Sequence, residues 1–386
     1  MIRPLVPALS LTVDRPGVSP APAQPSLVAV QDTLDATFAK AVGRVGGPGT
    51  QAIAMRDGQV FWSANAGKAI DNPATPDTDS TMFAYASFGK LVLGTYTLHL
   101  VENGLLALDK PISTYLGNDT PGSNVVTLRM LLAHTAGYND LYEAPETAPL
   151  FEGGDQYDPN KRYTWEMLAP GIHEPISPGT TYEYSNTGFC ILARLLSRMS
   201  GGDAALENGI KQFLQNAGET GDQLTAQRSQ SAYLRFAHGY RTHAGPSNGS
   251  LDYFTAYGAT GIPTDLYGMP FGDGMFAGTA FGAARFLDAL FVGGKLLKPA
   301  TIMSMTTPTT QALAANDTYG MATYRTEVSQ RVWQGHAGAF GGFTSMGGTD
   351  RTRGVTLMVV TNREGNASIA EAIWKELAEA YASVTP

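Results

Sequence analysis

Residues 87–104 read SFGKLVLGTYTLHLVENG, a run that is apolar almost all the way round a helical wheel. A helix of that kind belongs inside a core, so the rest of the chain must be built around it. Asn103-Gly104 closes the run as a C-cap pair. One residue does not fit the pattern. Lys90 is an amine in an apolar helix, and Ser87 stands three positions before it. Positions i and i+3 share a helix face, so hydroxyl and amine would lie one turn apart. A serine ahead of a helical run is also an ordinary cap. The pair alone leaves both readings open.

The chain has 386 residues, enough for one large domain or two intimate ones. Only 16% of residues are charged, which leaves a surface rich in Ser, Thr, Asn, Gln and Gly. A net charge of −8 with no Lys/Arg cluster argues against a nucleic-acid partner. The single cysteine, Cys190, rules out an intrachain disulfide or a thiolate metal cluster. It lies in the apolar run NTGFCILARLL and reads as packing. No apolar run reaches the eighteen or so residues of a membrane span. Residues 1–25 read as a flexible Pro-rich leader. Pro4 and Pro7 interrupt its short apolar stretch, which favours a cytoplasmic protein over an exported one.

Order begins near Ser26. Val28, Val30, Leu34, Phe38 and Val42 have helical spacing. QAIAMRDGQVFWSANAG reads as two strands around Arg56-Asp57-Gly58, a hairpin signal. Residues 116–270 carry helix signals, turns and polar loops. After them GAARFLDALFVGG reads as a helix. YGMATYRTEV, QRVWQGHAG, FTSMGGTD and GVTLMVVTNRE read as strands, and ASIAEAIWKELAEAYAS as a closing helix. The pattern predicts a discontinuous α/β (α+β) sandwich. Residues 26–115 and 271–386 form its α/β domain around a central antiparallel sheet, and 116–270 form a mainly helical insert.

Three groups could carry chemistry. A serine hydroxyl is a weak nucleophile and needs a base, which a lysine held neutral by burial supplies. Ser87 at a helix start would also offer a backbone N–H to an oxyanion. In PGTTYEYSNTGF, Tyr184-Ser185-Asn186 precedes another apolar run. Tyrosine can relay a proton if nearby cations depress its pKa, and the asparagine amide can orient an amine or a carbonyl. As structure alone, Tyr184 is a core aromatic and Ser185 or Asn186 a cap. In GHAGAFGGFTS, His336 follows a strand-like run, and glycines there allow close approach to an edge strand.

The ordered set S-x-x-K, Y-x-N and [K/H]-x-G resembles the signature of the serine β-lactamase and penicillin-binding-protein superfamily. The surrounding wording is similar to its class C-like branch. VENGLLALDKPISTYL, VTLRMLLAHTAGY, PGTTYEYSNTGF, FGDGMFAGTAFGAARFLDALFVGGKLL and GHAGAFGGFTS carry that resemblance over roughly 30–380. The branch includes class C β-lactamases, DD-peptidases, D-aminopeptidases, D-amino-acid amidases and carboxylesterases. The resemblance implies a β-lactamase/transpeptidase-like fold and an acyl-enzyme mechanism with no cofactor and no metal. It implies Ser87 as nucleophile, Lys90 as base for acylation and Tyr184 as the proton shuttle to the leaving group. Asn186 would hold Lys90 and a substrate carbonyl, and His336 would take the third-motif cation position. The strand at Gly338 would bring the Ala339 N–H beside that of Ser87 as the oxyanion hole.

Departures from the family pattern point to the substrate. H-A-G replaces K-T-G, so a hydroxyl is missing at Ala337, and a neutral imidazole is a poorer anion partner than an ammonium. That favours a small molecule or short peptide without a carboxylate beside the scissile bond. D-amino-acid amides, D-peptides and carboxylic esters fit, ahead of β-lactams or D-Ala-D-Ala. Acyl transfer would use the same residues, and a non-catalytic binding member would ordinarily lack one of them. Phe88, after the serine, either narrows the acyl pocket or anchors the helix. Glu143, Glu146 and Asp155 are candidate partners for a substrate ammonium, with solvated loop acids as the plainer reading. A rival G-x-S-x-G at 245–249, centred on Ser247, has polar flanks where a nucleophile elbow needs a hydrophobic strand. His134 reads as a structural hydrogen-bonder, and the six histidines form no H-E-x-x-H. The oligomeric state has no sequence signal.

Overall fold

Two strands from the start of the chain and four from its end make one sheet. A computed structural model describes residues 26–385 except 152, 159–162, 219–222, 227–234, 243–249, 257–271, 275 and 366–367. The leader and Ser247 therefore lie outside the described residues. Helix α1 (Leu27–Arg44) starts at Ser26, whose Oγ accepts from the Ala29 N–H at 3.2 Å. It buries Val30, Leu34, Phe38 and Val42, while Val28 stays exposed. Strands β1 (Thr50–Arg56) and β2 (Gln59–Ala66) follow. Asp57 and Gly58 between them both have positive φ, as a two-residue type I′ hairpin requires.

The apolar run becomes helix α2 (Gly89–Glu102), capped by Asn103 and followed by Gly104 at φ 73°. Helices α3 (Asn186–Ser200) and α4 (Asp203–Gln215) are the longest described in the central segment. After them come α5 (Ala280–Phe291) and strands β3 (Tyr324–Val328), β4 (Arg331–Phe340), β5 (Phe343–Asp350) and β6 (Val355–Thr361), with helix α6 (Ile369–Val384) closing the chain. The sheet order is β3-β4-β5-β6-β1-β2, every neighbour antiparallel. Both chain ends complete one sheet, the mixed α/β architecture expected above.

Side-chain alternation gives the sheet two apolar faces. Ala52, Ala54, Trp333, Leu357 and Val359 pack with α1 and α6 in one buried cluster. Ile53, Met55, Met358 and Val360 face the other way, into a larger cluster with α2, α3 and α5. Every residue of β5 and β6 is buried, as central strands covered on both faces must be. Helix α2 is enclosed from Gly89 to Leu98. Strand pairing crosses the C-terminal boundary of the expected insert. Leu224–Ala226 pairs with Phe276–Gly278, which pairs with Phe83–Ala84, and Tyr240 pairs with Arg363. The central segment is thus stitched to the sheet domain beside the start of α2.

Phe88 is an anchor. Its ring has no solvent exposure and packs edge-on against Tyr85 (5.5 Å between centroids) and Phe286 (6.5 Å). It also fills the space over Gly347, where an added Cβ would stand 3.0 Å from the Phe88 ring. The ring points into the core under β5, away from any acyl pocket.

Candidate active site

Ser87 sits in a single 3-10 turn (Ala86–Phe88) that leads directly into α2. Ala86 holds φ at 51°, a left-handed conformation that costs a non-glycine residue energy and persists only when its surroundings enforce it. The enforcement is visible. The Tyr85 N–H donates to Phe276 O (3.0 Å), the Tyr85 hydroxyl to Thr279 O (2.5 Å), and Ser345 Oγ of β5 to Tyr85 O (2.7 Å).

Strand β4 lies against the same turn at Gly338. A Cβ there would overlap Tyr85 O and stand 2.9 Å from Ser87 N, so only glycine permits the approach. Gly341 and Gly342 both have positive φ and close β4 onto β5 as a two-residue hairpin. Phe340 and Phe343 are then its hydrogen-bonded pair, so Ala339 and Thr344 are a non-hydrogen-bonded one. The Ala339 N–H therefore points to the outer edge of β4. Strand β3 pairs only as far as Gly335, which leaves that edge without a strand among the described residues. An edge N–H at Ala339 beside the Ser87 N–H has the layout of an oxyanion hole. Gly338→Val should push β4 off the turn and cut kcat/KM about a hundredfold or more, measured against the wild type at equal folded fraction.

Lys90 is fully buried, and its Nζ meets three acceptors: Ser87 Oγ (3.0 Å), Asn186 Oδ1 (2.8 Å) and Asp273 O (2.6 Å). It lies 5.2 Å from the Tyr184 ring centroid and 5.7 Å from that of Phe189. Burial lowers its pKa, against the opposing pull of the Asp273 and Asp140 negative charges. Asp273 is itself pushed up to about 6 by burial, with the Lys90 charge and the Tyr142 hydroxyl (2.9 Å from Oδ2) pulling it down.

The Tyr184 hydroxyl faces the Ser87 side chain. Its pKa is raised, chiefly by burial and further by Asp273 and Asp140, with Ser87 lowering it. Burial thus holds the phenol in its neutral form. His134 stacks on its ring, with centroids 4.1 Å apart. His134 Nδ1 accepts from the Ser185 N–H at 3.2 Å. Tyr184 and Asn186 thus reach the site from the loop end and first turn of α3.

His336 is buried and has both nitrogens engaged. Nδ1 donates to Ala337 O (2.6 Å), and Nε2 accepts from the Tyr319 hydroxyl (3.1 Å). Burial pushes its pKa down to about 3, with the Ala337 bond raising it and Lys90 lowering it further. The imidazole is neutral and has no free donor. Ala337 faces the opposite layer, against the cluster of α1 and α6.

The beta-lactamase family model matches residues 34–382. The chain belongs to the beta-lactamase family. It is a β-lactamase-related serine hydrolase. PbpX of Bacillus subtilis (strain 168), a penicillin-binding-protein relative, is 24% identical over 329 residues, 85% of this chain and 73% of that protein. The esterase EstB of Burkholderia gladioli is 35% identical over 109 residues, 27% of this chain and 28% of EstB. The D-amino acid amidase from Ochrobactrum anthropi SV3 bound to D-phenylalanine superposes with a TM-score of 0.72 at 21% identity, covering 91% of this chain and 98% of that one.

The site gathers Ser87, Lys90 and Asn186 at hydrogen-bond range, with Tyr184, Gly338 and Ala339 alongside. Two of the three candidate ammonium acids stand elsewhere. Glu143 is exposed, and Glu146 makes a surface pair with His173 (3.1 Å). Asp155 lies at the rim of a cavity lined by Tyr142, Phe151 and Phe340. Two acids nearest the chemistry were missed by sequence reasoning. Asp140 follows HTAGY by two residues, and Asp273 lies within FGDGMF. Cys190 is buried with its thiol pKa pushed up by burial, so it is packing.

Proposed function

We propose that the protein hydrolyses a small amide, peptide or ester through an acyl-enzyme on Ser87, with D-amino-acid amides and carboxylic esters as the preferred classes. The observation that carries this is the 3.0 Å contact between Ser87 Oγ and the Nζ of a fully buried lysine. A neutral Lys90 has two N–H bonds and one lone pair. The N–H bonds go to Asn186 Oδ1 and Asp273 O, which leaves the lone pair for the Ser87 hydroxyl. Burial favours that neutral form.

In acylation the Ser87 proton passes to Lys90 as Oγ bonds to the carbonyl carbon, and the carbonyl electrons move to oxygen between the Ser87 and Ala339 N–H groups. The bond to the leaving group then breaks as Tyr184 gives it a proton, which Lys90 restores. In deacylation water oxygen bonds to the acyl carbon as the same pair takes its proton, and the bond from that carbon to Ser87 Oγ then breaks as the pair returns the proton to Oγ.

The neutral His336 supports substrates with no carboxylate beside the scissile bond, since it offers no cation to hold one. The esterase and amidase likenesses support the same classes. A cavity of about 700 Å³ beside Phe340, walled by Tyr142, Ala148, Pro149 and Phe151 with Asp155 and Arg241 at its rim, suits a bulky side chain that has both apolar and polar parts. The test is one panel at neutral pH: p-nitrophenyl esters, D- and L-phenylalanine amide, D-dipeptides and nitrocefin. We expect ester or D-amide turnover well above nitrocefin turnover, and loss of all of it in Ser87→Ala. Rapid nitrocefin hydrolysis would overturn the substrate class. Activity retained in Ser87→Ala but lost in Ser247→Ala would overturn the nucleophile.

A further inference from the structure

We infer that Asp140 is a positioning residue that holds the Asn186 side chain with its oxygen, and not its nitrogen, toward Lys90. The inference rests on the reading of Lys90 as the base for Ser87. An asparagine amide has an oxygen end and a nitrogen end of nearly the same shape, so only its partners decide which way it faces. Here Asp140 Oδ2 accepts from both the Asn186 backbone N–H (3.0 Å) and its side-chain Nδ2 (2.9 Å). A carboxylate in its ionised form only accepts, so the nitrogen must face Asp140, and Oδ1 is turned to Lys90 Nζ at 2.8 Å. Reversed, the amide would aim an N–H₂ at the amine. One of the two bonds that leave the Lys90 lone pair free for Ser87 would then be lost.

Asp140 is itself held. Its Oδ1 accepts from the Tyr142 N–H at 3.1 Å. Ser185, at the N-cap position of α3, makes no side-chain capping bond, so Asp140 supplies that cap from a different segment. The loop does not depend on the carboxylate alone. The Thr187 hydroxyl donates to Asn139 O (2.7 Å) and accepts from the Leu141 N–H (2.8 Å), stitching both neighbours of Asp140 to α3. Substitution at 140 should therefore leave the fold standing.

The other titratable groups facing Lys90 are Asp273, Cys190, Tyr184, His134 and His336. None of them touches the Asn186 amide through a side-chain hydrogen bond in the described residues. Asp140 acts on Lys90 in two ways, as a nearby negative charge and as the clamp on the amide, and both favour the ammonium. Removing it should weaken the base and shift its titration to lower pH.

The experiment is the rate of Ser87 labelling by a fluorophosphonate between pH 5 and pH 10, in wild type, Asp140→Ala and Asp140→Asn, with thermal melts as the control on folding. In Asp140→Ala we expect the plateau rate to fall about tenfold to a hundredfold. We expect its acidic limb to move down by about half a pH unit or more. Asp140→Asn keeps the shape but loses the charge and one acceptor, and should move the limb in the same direction by less. A lower plateau with an unmoved limb in both variants would mean a helix cap and nothing more, and would overturn the inference. So would unchanged labelling in folded variants. Failure of folded wild type to label at all would instead overturn the reading of Ser87, and this inference with it.

Discussion

Replacing Lys90 with methionine should all but abolish acylation of Ser87 and leave a folded protein. The amine sits within 3.0 Å of the nucleophile and has no solvent exposure, so no buffer base can take its place. Loss of a positioned base typically costs ~10² to 10⁴ in rate. Where nucleophile and base act as one unit the loss reaches about 10⁶. Lys90→Arg should not rescue, because a guanidinium stays protonated and cannot accept the serine proton. Methionine matches the length of the stem but leaves Asn186 Oδ1 and Asp273 O without a donor, a cost of ~1–3 kcal/mol for each buried acceptor. Against this stands the relief of a desolvated amine. Burial depresses the Lys90 pKa, so folding disfavours the ammonium. That penalty is absent above the ordinary lysine range, grows as pH falls toward the depressed value, and is constant below it. The methionine variant should therefore gain on the wild type as pH is lowered from about 10. Wild-type acylation should titrate below the range of a free lysine. Ester hydrolysis and fluorophosphonate labelling across pH, with urea melts at two pH values, check both halves. A variant within tenfold of wild-type acylation at its pH optimum would remove Lys90 from the mechanism.

The sequence pointed to Ser87, Lys90, Tyr184 and Asn186 through the ordered set of motifs, each beside a helix start, where spacing alone left both readings open. The sheet was legible because β1, β4, β5 and β6 read as short apolar runs bounded by Gly and Asp. What stayed hidden acts across long separations or through the main chain. Asp273 serves Lys90 with its backbone oxygen, which no residue pattern reports. Asp140 reaches Asn186 from 46 positions away. The neutrality of His336 depends on its burial and on the nearby Lys90, which lies on another segment. The Tyr184 pKa is raised because the fold buries the phenol and sets Asp273 and Asp140 near it. Each of these is a tertiary quantity, set by which groups the fold encloses together.

The largest effect on stability should come from Phe88→Ala. The ring is enclosed between Tyr85, Phe286 and the bare backbone at Gly347. Removing an aromatic side chain from such a site typically costs ~3–5 kcal/mol, part transfer and part cavity. Phe88→Leu should cost less, since it refills part of the volume. Gly347→Ala should fail for the reciprocal reason. Its Cβ would stand 2.5 Å from Met358 Sδ, 2.7 Å from Leu287 Cδ1 and 3.0 Å from the Phe88 ring, three groups with little room to give. The two substitutions together should cost less than their sum, because the methyl enters space the ring has left. Turnover separates an anchor from a pocket wall. Under conditions where Phe88→Leu is fully folded, its KM for small and bulky p-nitrophenyl esters should match the wild type, because the ring lies under β5. A shift in preference toward bulkier acyl groups would put Phe88 in the acyl pocket and contradict its placement in the core.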